Sequence, residues 1–126
     1  MTYQKCPIPD AFAVLSGPYP PDDLGFKSDQ LQILSNSRDT PWSDPGMHKH
    51  TASDEAYMVL EGDITLMIED ERVIVGPGEI CFVPAGVFHA LIHVTPPYRG
   101  FVIRAPAIDD KVTRESTETG EQDPAD

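Results

Sequence analysis

The 126-residue chain is poor in cysteine, tryptophan and positive charge. Its two cysteines, Cys6 and Cys81, are too few for a disulfide framework. Cys81 lies in an apolar strand-like run, where a buried free thiol is the common outcome. Nine lysines and arginines stand against 21 aspartates and glutamates, a net charge of −12. Nucleic acid and anionic membranes are polyanions, so this balance argues against both as partners. No basic-then-apolar leader opens the sequence, and no apolar run reaches spanning length. The expectation is a soluble, cytoplasmic protein. Convincing helical periodicity with caps is also missing.

What the chain has instead is 13 prolines, nine glycines and a hydrophobic content of 40%. That suits one domain of many short elements joined by turns. Residues 1–28 read as an irregular N-terminal arm with an edge strand near Ala11 to Leu15. Residues 29–106 read as the body. In "DITLMIED", Ile64, Leu66 and Ile68 alternate with Thr65, Met67 and Glu69, the two-residue period of a strand. "EDER" is a turn and "RVIVG" the return strand of a hairpin. Strand-like runs continue through "ICFV", "VFHALIHV" and "RGFVIRAP", each bracketed by glycine or proline. The expected class is all-β, an antiparallel sandwich or barrel of roughly seven to ten strands. Residues 107–126 hold seven acids against two bases and almost nothing apolar, the composition of a flexible tail.

The chain's four histidines gather around one glutamate in the pattern. On an extended chain His48 and His50 share a face, and so do Glu55 and Tyr57. His89 and His93, four apart, would project to one side of "FHALIHV". Neutral imidazoles with a carboxylate suit a first-row divalent metal. Taken alone, H-x-H in a turn-rich stretch is as readily an exposed loop, and a histidine in an apolar strand a satisfied core residue.

The spacing joins these pieces. His48, His50, Glu55 and Gly62 fit the pattern H-x-H-x3–4-E-x6-G. Gly78, Pro84, Gly86 and His89 fit G-x5-P-x-G-x2-H, and 15 residues separate Gly62 from Gly78. In these two ordered motifs the chain resembles a small single-domain cupin. Two departures stand out: Gly46 lies too close to His48, and His93 replaces the asparagine that ends the second motif. The resemblance implies an antiparallel double-stranded β-helix, the jelly-roll cupin barrel. It also implies one divalent transition metal per chain (Fe, Mn, Ni, Co or Zn) on His48, His50, Glu55 and His89. A homodimer is expected, with the N-terminal apolar segment at the contact.

Cupins include oxygenases, isomerases, lyases and plain binding modules, so the reaction must be argued from residues. The interior expected from alternation is apolar, with Val59, Ile64, Leu66, Phe82, Leu91, Phe101 and Ile103. It suits a small organic substrate that chelates through oxygen. Tyr57 is a candidate catalytic residue, and packing is the plain alternative. An inward His93 would be a donor behind the ligands, an acid–base group near substrate, or a ring filling the interior. Arg99 and Arg104 lie at opposite phases, and both read as surface charges; Trp42 would cover the barrel mouth. The expected activity is a metal-dependent oxygenase. The alternatives are a non-redox lyase or isomerase, or a small-ligand binding module without turnover.

Overall fold

The computed structural model describes residues 3–21, 25–40 and 46–114. Among them are nine strands: β1 Ala13–Gly17, β2 Phe26–Lys27, β3 Gln32–Arg38, β4 His48–His50, β5 Asp54–Ile68, β6 Glu71–Val75, β7 Ile80–Val83, β8 His89–Ala105 and β9 Lys111–Thr113. No helix among the described residues is long and apolar enough to cross a membrane.

The frame is the antiparallel ladder of β5 and β8, which runs from Asp54↔Ala105 to Ile68↔His89. Each long strand serves two groups of neighbours. The first half of β5 also pairs with β7, and the second half of β8 also pairs with β3, which continues to β1 and β2. The second half of β5 pairs with β6, while the start of β8 meets β4, which continues to β9. Residues from both groups form one core: Leu34, Tyr57, Val59, Val83, Tyr98 and Val102 from the first, Ile64, Leu66, Val75 and Val94 from the second. This is the all-β jelly-roll arrangement, with two departures from the expected barrel. The hydrogen-bonded path does not close into a ring, and β1 pairs with β2 in parallel.

Alternation identifies the inner face only in part. Val59, Ile64 and Leu66 are fully buried, and Leu91 packs against the core as expected. Phe82, however, is 70% exposed, because Val83 takes the inward phase of β7. Phe101 and Ile103 lie opposite Met58 and Ala56, on the face away from the Tyr57↔Val102 pair. Both faces of this sheet are apolar, so period two alone does not say which one is inside.

A bulge decides the fate of His93. Thr65 is opposite His93, but the next residue, Leu66, is opposite Leu91, so Ile92 is extra. An extra residue reverses the parity of the strand beyond it. His89 is therefore buried and His93 exposed, against the expectation that both project to one side.

The acidic C-terminal stretch departs from the flexible-tail reading as far as Arg114. β9 lies against β4 in the register His48↔Thr113, Lys49↔Val112, His50↔Lys111. Ala107 is 1% exposed, with its amide on the Asp29 carbonyl at 3.0 Å. The rest of that stretch, like Trp42, is outside the described residues.

The bend in β5 is made at Gly62, whose φ is 76°. A Cβ there would sit 2.5 Å from the Pro97 carbonyl oxygen and 2.7 Å from that of Thr95. Left-handed strain and backbone crowding add, so Gly62→Ala should cost about 2 kcal/mol or more. Urea unfolding measures this, and an unchanged midpoint would show that the bend accepts a side chain.

Candidate metal centre

β4 is short, extended and held from both sides. His48 and His50 both turn inward from it, at 4% and 3% exposure, with Lys49 between them on the other face. β8 begins at His89, directly across from His48. β5 contributes Glu55 and Tyr57 from its inner face, each 2% exposed. Side chains from three strands, β4, β5 and β8, thus converge. The ring centroids of His48 and His89 are 4.4 Å apart, and those of His48 and His50 are 5.5 Å apart. Donor atoms of His48, Glu55 and His89 lie within 4.8 Å of one another, a group able to hold a metal ion.

The hydrogen bonds set the rings' orientation. Each imidazole turns Nδ1 outward to an oxygen: His48 to the Gly46 carbonyl at 3.2 Å, His50 to Asp110 at 2.9 Å, and His89 to the Val87 carbonyl at 3.0 Å. A carbonyl or an ionised carboxylate only accepts, so each Nδ1 carries the proton. With Nδ1 protonated, each Nε2 is a lone pair when the ring is neutral and a second donor when the ring is charged. His89 Nε2 is 2.7 Å from Glu55 Oε1, and His50 Nε2 is 3.7 Å from Oε2. A lone pair cannot rest 2.7 Å from a carboxylate oxygen without a proton or a cation between them. His48 Nε2, His50 Nε2 and Glu55 Oε2 are buried with no hydrogen-bond partner. Such groups are costly unless something satisfies them. A divalent cation fits this donor set.

The titration behaviour agrees. Burial, helped by the neighbouring His89, lowers His48 to about 4, so its ring is neutral at pH 7. Burial also lowers His50. Burial alone would raise Glu55, but the His89 hydrogen bond and the nearby imidazoles outweigh it and hold the carboxylate ionised. Neutral imidazoles and a carboxylate are the forms that ligate metals.

Behind His50 lies a network that local sequence patterns do not announce. Asp110 Oδ2 accepts from the Ala52 amide at 2.9 Å, the Ser53 amide at 2.8 Å and the Ser53 hydroxyl at 2.9 Å. Its Oδ1 faces His50 and, at 3.2 Å, the Arg104 guanidinium. Burial opposes ionisation of Asp110, yet these donors hold it at about 2. Arg104 is 8% exposed and also binds Gln32 and the Ile108 carbonyl, so it is not the surface charge expected. Its phase was the available signal, because it alternates inward with Val102 and Tyr98. Asp110 had none, being one acid in an acidic run. Arg99 is exposed.

Three of the four expected ligands, His48, Glu55 and His89, form the group able to hold a metal ion, and His50 lies beside it with Nε2 3.7 Å from Glu55 Oε2. Tyr57 stands beside it, its hydroxyl 3.4 Å from Glu55 Oε1. His93 does not join, because it lies on the outer surface.

Comparison with known proteins places this geometry. The profile of the Cupin domain matches residues 40–97. An uncharacterized protein, SCO3923 of Streptomyces coelicolor, is 34% identical over 58 residues, 46% of this chain and 55% of that protein. The chain thus spans about half the length of the curated relative it matches. A cupin protein of Bacteroides fragilis (BF4112) superimposes with a TM-score of 0.64 at 20% identity, over 92% of this chain and 88% of that one. Pac13 of Streptomyces, a nucleoside dehydratase, gives 0.59 at 16% identity, over 71% and 72%. Both histidine motifs lie inside the stretch that matches the Cupin domain, and the jelly-roll frame around them is the fold of a solved cupin protein.

Proposed function

We propose that this protein is a metal-dependent enzyme whose single divalent ion is held by His48, His50, Glu55 and His89. The observation that carries the reading is the convergence of three imidazole Nε2 atoms on one buried carboxylate, with three of the atoms unpartnered. When bound, the ion supplies Lewis-acid polarisation of a substrate oxygen. The chain's own residues do the rest. Glu55 and the imidazoles fix the position of charge before substrate arrives. The apolar core around Tyr57, Val59, Leu34 and Val102 excludes water and favours a small organic substrate that offers oxygen donors.

The reaction we favour is a non-redox elimination or isomerisation, which needs a group to move a proton beside the ion. Tyr57 fits that role, because its hydroxyl is the acidic O–H next to Glu55 and is itself buried. That Pac13 is a dehydratase on a similar frame is consistent with such chemistry. A second reading, the cupin-type dioxygenase, keeps support from a specific feature. His48, His89 and Glu55 form a set of two histidines and one carboxylate, a ligand type used by non-haem iron oxygenases. We further propose that the protein pairs as a homodimer across the sheet face carrying Leu60, Ile80 and Phe82, which are 51%, 42% and 70% exposed. On a chain of net charge −12, an uncharged apolar patch suits a copy of itself better than a charged partner.

Purified protein reconstituted with Zn²⁺, Mn²⁺ or Fe²⁺ should hold about one ion per chain by elemental analysis. His89→Ala should lose it while the far-ultraviolet spectrum stays that of a β protein. Failure of the parent protein to retain any of these ions would remove the metal reading and leave the fold.

Small oxygen-chelating acids, sugars and nucleosides, screened by mass spectrometry, should give a product without oxygen. Tyr57→Phe should then lower the rate by about 10²–10⁴-fold with metal content unchanged. Turnover that strictly requires oxygen would select the dioxygenase instead.

Light scattering should report a dimer, shifted toward monomer by Phe82→Asp. A monomeric parent protein would refute the pairing.

A further inference from the structure

The side of His50 away from Glu55 is built with more care than a core position requires. Its Nδ1 meets Asp110, and Asp110 is gripped by donors on every open side. The Ala52 amide, Ser53 amide and Ser53 hydroxyl bind Oδ2, and Arg104 binds Oδ1 next to His50. Arg104 is in turn fixed by Gln32 at 2.8 Å and by the Ile108 carbonyl at 2.7 Å. The Asp110 side chain is 5% exposed. The backbone locks the same segment in place: the Thr51 amide binds the Asp110 carbonyl at 3.1 Å, and the Arg114 amide binds the Met47 carbonyl at 2.9 Å. These contacts bracket β4 at both ends.

The charged members of this network lie outside the stretch that matches the family profile, which ends at residue 97. Arg104 and Asp110 lie beyond it. The other two rings rest on plain backbone carbonyls, those of Gly46 and Val87. His50 rests instead on the carboxylate of Asp110.

We infer that Asp110, carried on the segment leading into β9, is the positioning residue that fixes His50 with its Nε2 lone pair toward Glu55. The carboxylate accepts the Nδ1 proton and so excludes the tautomer that would place a proton between His50 and the ion. It also fixes the ring plane, because Asp110 cannot rotate without abandoning the Ala52 and Ser53 donors. The use of this orientation rests on the proposed metal site; the orientation itself does not.

The amide isostere gives a sharp test. Asp110→Asn has one accepting oxygen. Turned toward the Ala52 and Ser53 amides, it leaves its NH₂ group on the side of His50 and Arg104. His50 Nδ1 must then accept, and the ring proton moves to Nε2. Long-range ¹H–¹⁵N correlation of the metal-free full chain reads the tautomer directly. The parent protein should show His50 protonated on Nδ1, and Asp110→Asn should show it on Nε2. Co²⁺ affinity, measured by chelator competition, should fall by about 10–100-fold in the variant.

A parent protein with the His50 proton on Nε2 would overturn the inference without any variant, so it stays testable even where Asp110→Asn does not fold. A folded variant with unchanged tautomer, or with unchanged Co²⁺ affinity despite a changed tautomer, would overturn it as well. A parent protein that binds no Co²⁺ but keeps His50 protonated on Nδ1 would sink the metal reading and leave Asp110 as the residue that orients His50.

Discussion

The structure is organised around one electrostatic demand, a buried carboxylate that must be kept ionised. Glu55 is 2% exposed, on a strand whose first half also turns Tyr57 and Val59 inward. A carboxylate removed from water is tolerated only when charge or donors surround it. Three imidazoles from β4 and β8 face it, and a cation held among them would supply that charge. Their own outward nitrogens need acceptors, and those come from turns at Gly46 and Val87 and from Asp110. Much of the local backbone around the site, including the approach of β9 to β4, follows from meeting those needs in sequence.

The long β5–β8 ladder is what makes this possible at modest length. Both strands bend midway, so one pair of chains belongs to both groups of the jelly roll. Glu55 and Arg104 are opposite each other near one end of the ladder, and Ile68 and His89 near the other. The bend brings these ends into one neighbourhood, since His89 meets Glu55 at 2.7 Å although the two are 34 residues apart. Gly62 is therefore as much a part of the site as the histidines that face Glu55.

The part of this that was legible in the sequence has a physical reason. His48, His50 and Glu55 sit on extended chain close together, so period two and motif spacing report their shared face. His89 follows from the glycine and proline turns that set the start of β8. His93 was misjudged because a bulge at Ile92 leaves no mark in composition. Phe82, Phe101 and Ile103 were misjudged because a sheet with two apolar faces has no signature of sidedness. Arg104 and Asp110 were missed for a different reason. Their partners, Gln32, Ser53 and His50, lie 51 to 72 residues away, and only tertiary structure shows the pairing.

That distance has a consequence for how the centre comes into being. β4 shares a single register pair with β8 but three with β9, so its hold on the sheet comes mostly from residues 111–113. The strand bearing two of the site's histidines is thus among the earlier segments to be synthesised and among the last to find its partners. Contacts of such sequence separation form late, after loop-closure entropy has been overcome. Until then His48 and His50 are ordinary residues on an unpaired piece of chain. The centre is a property of the finished topology, assembled from non-local contacts rather than grown outward from a local nucleus.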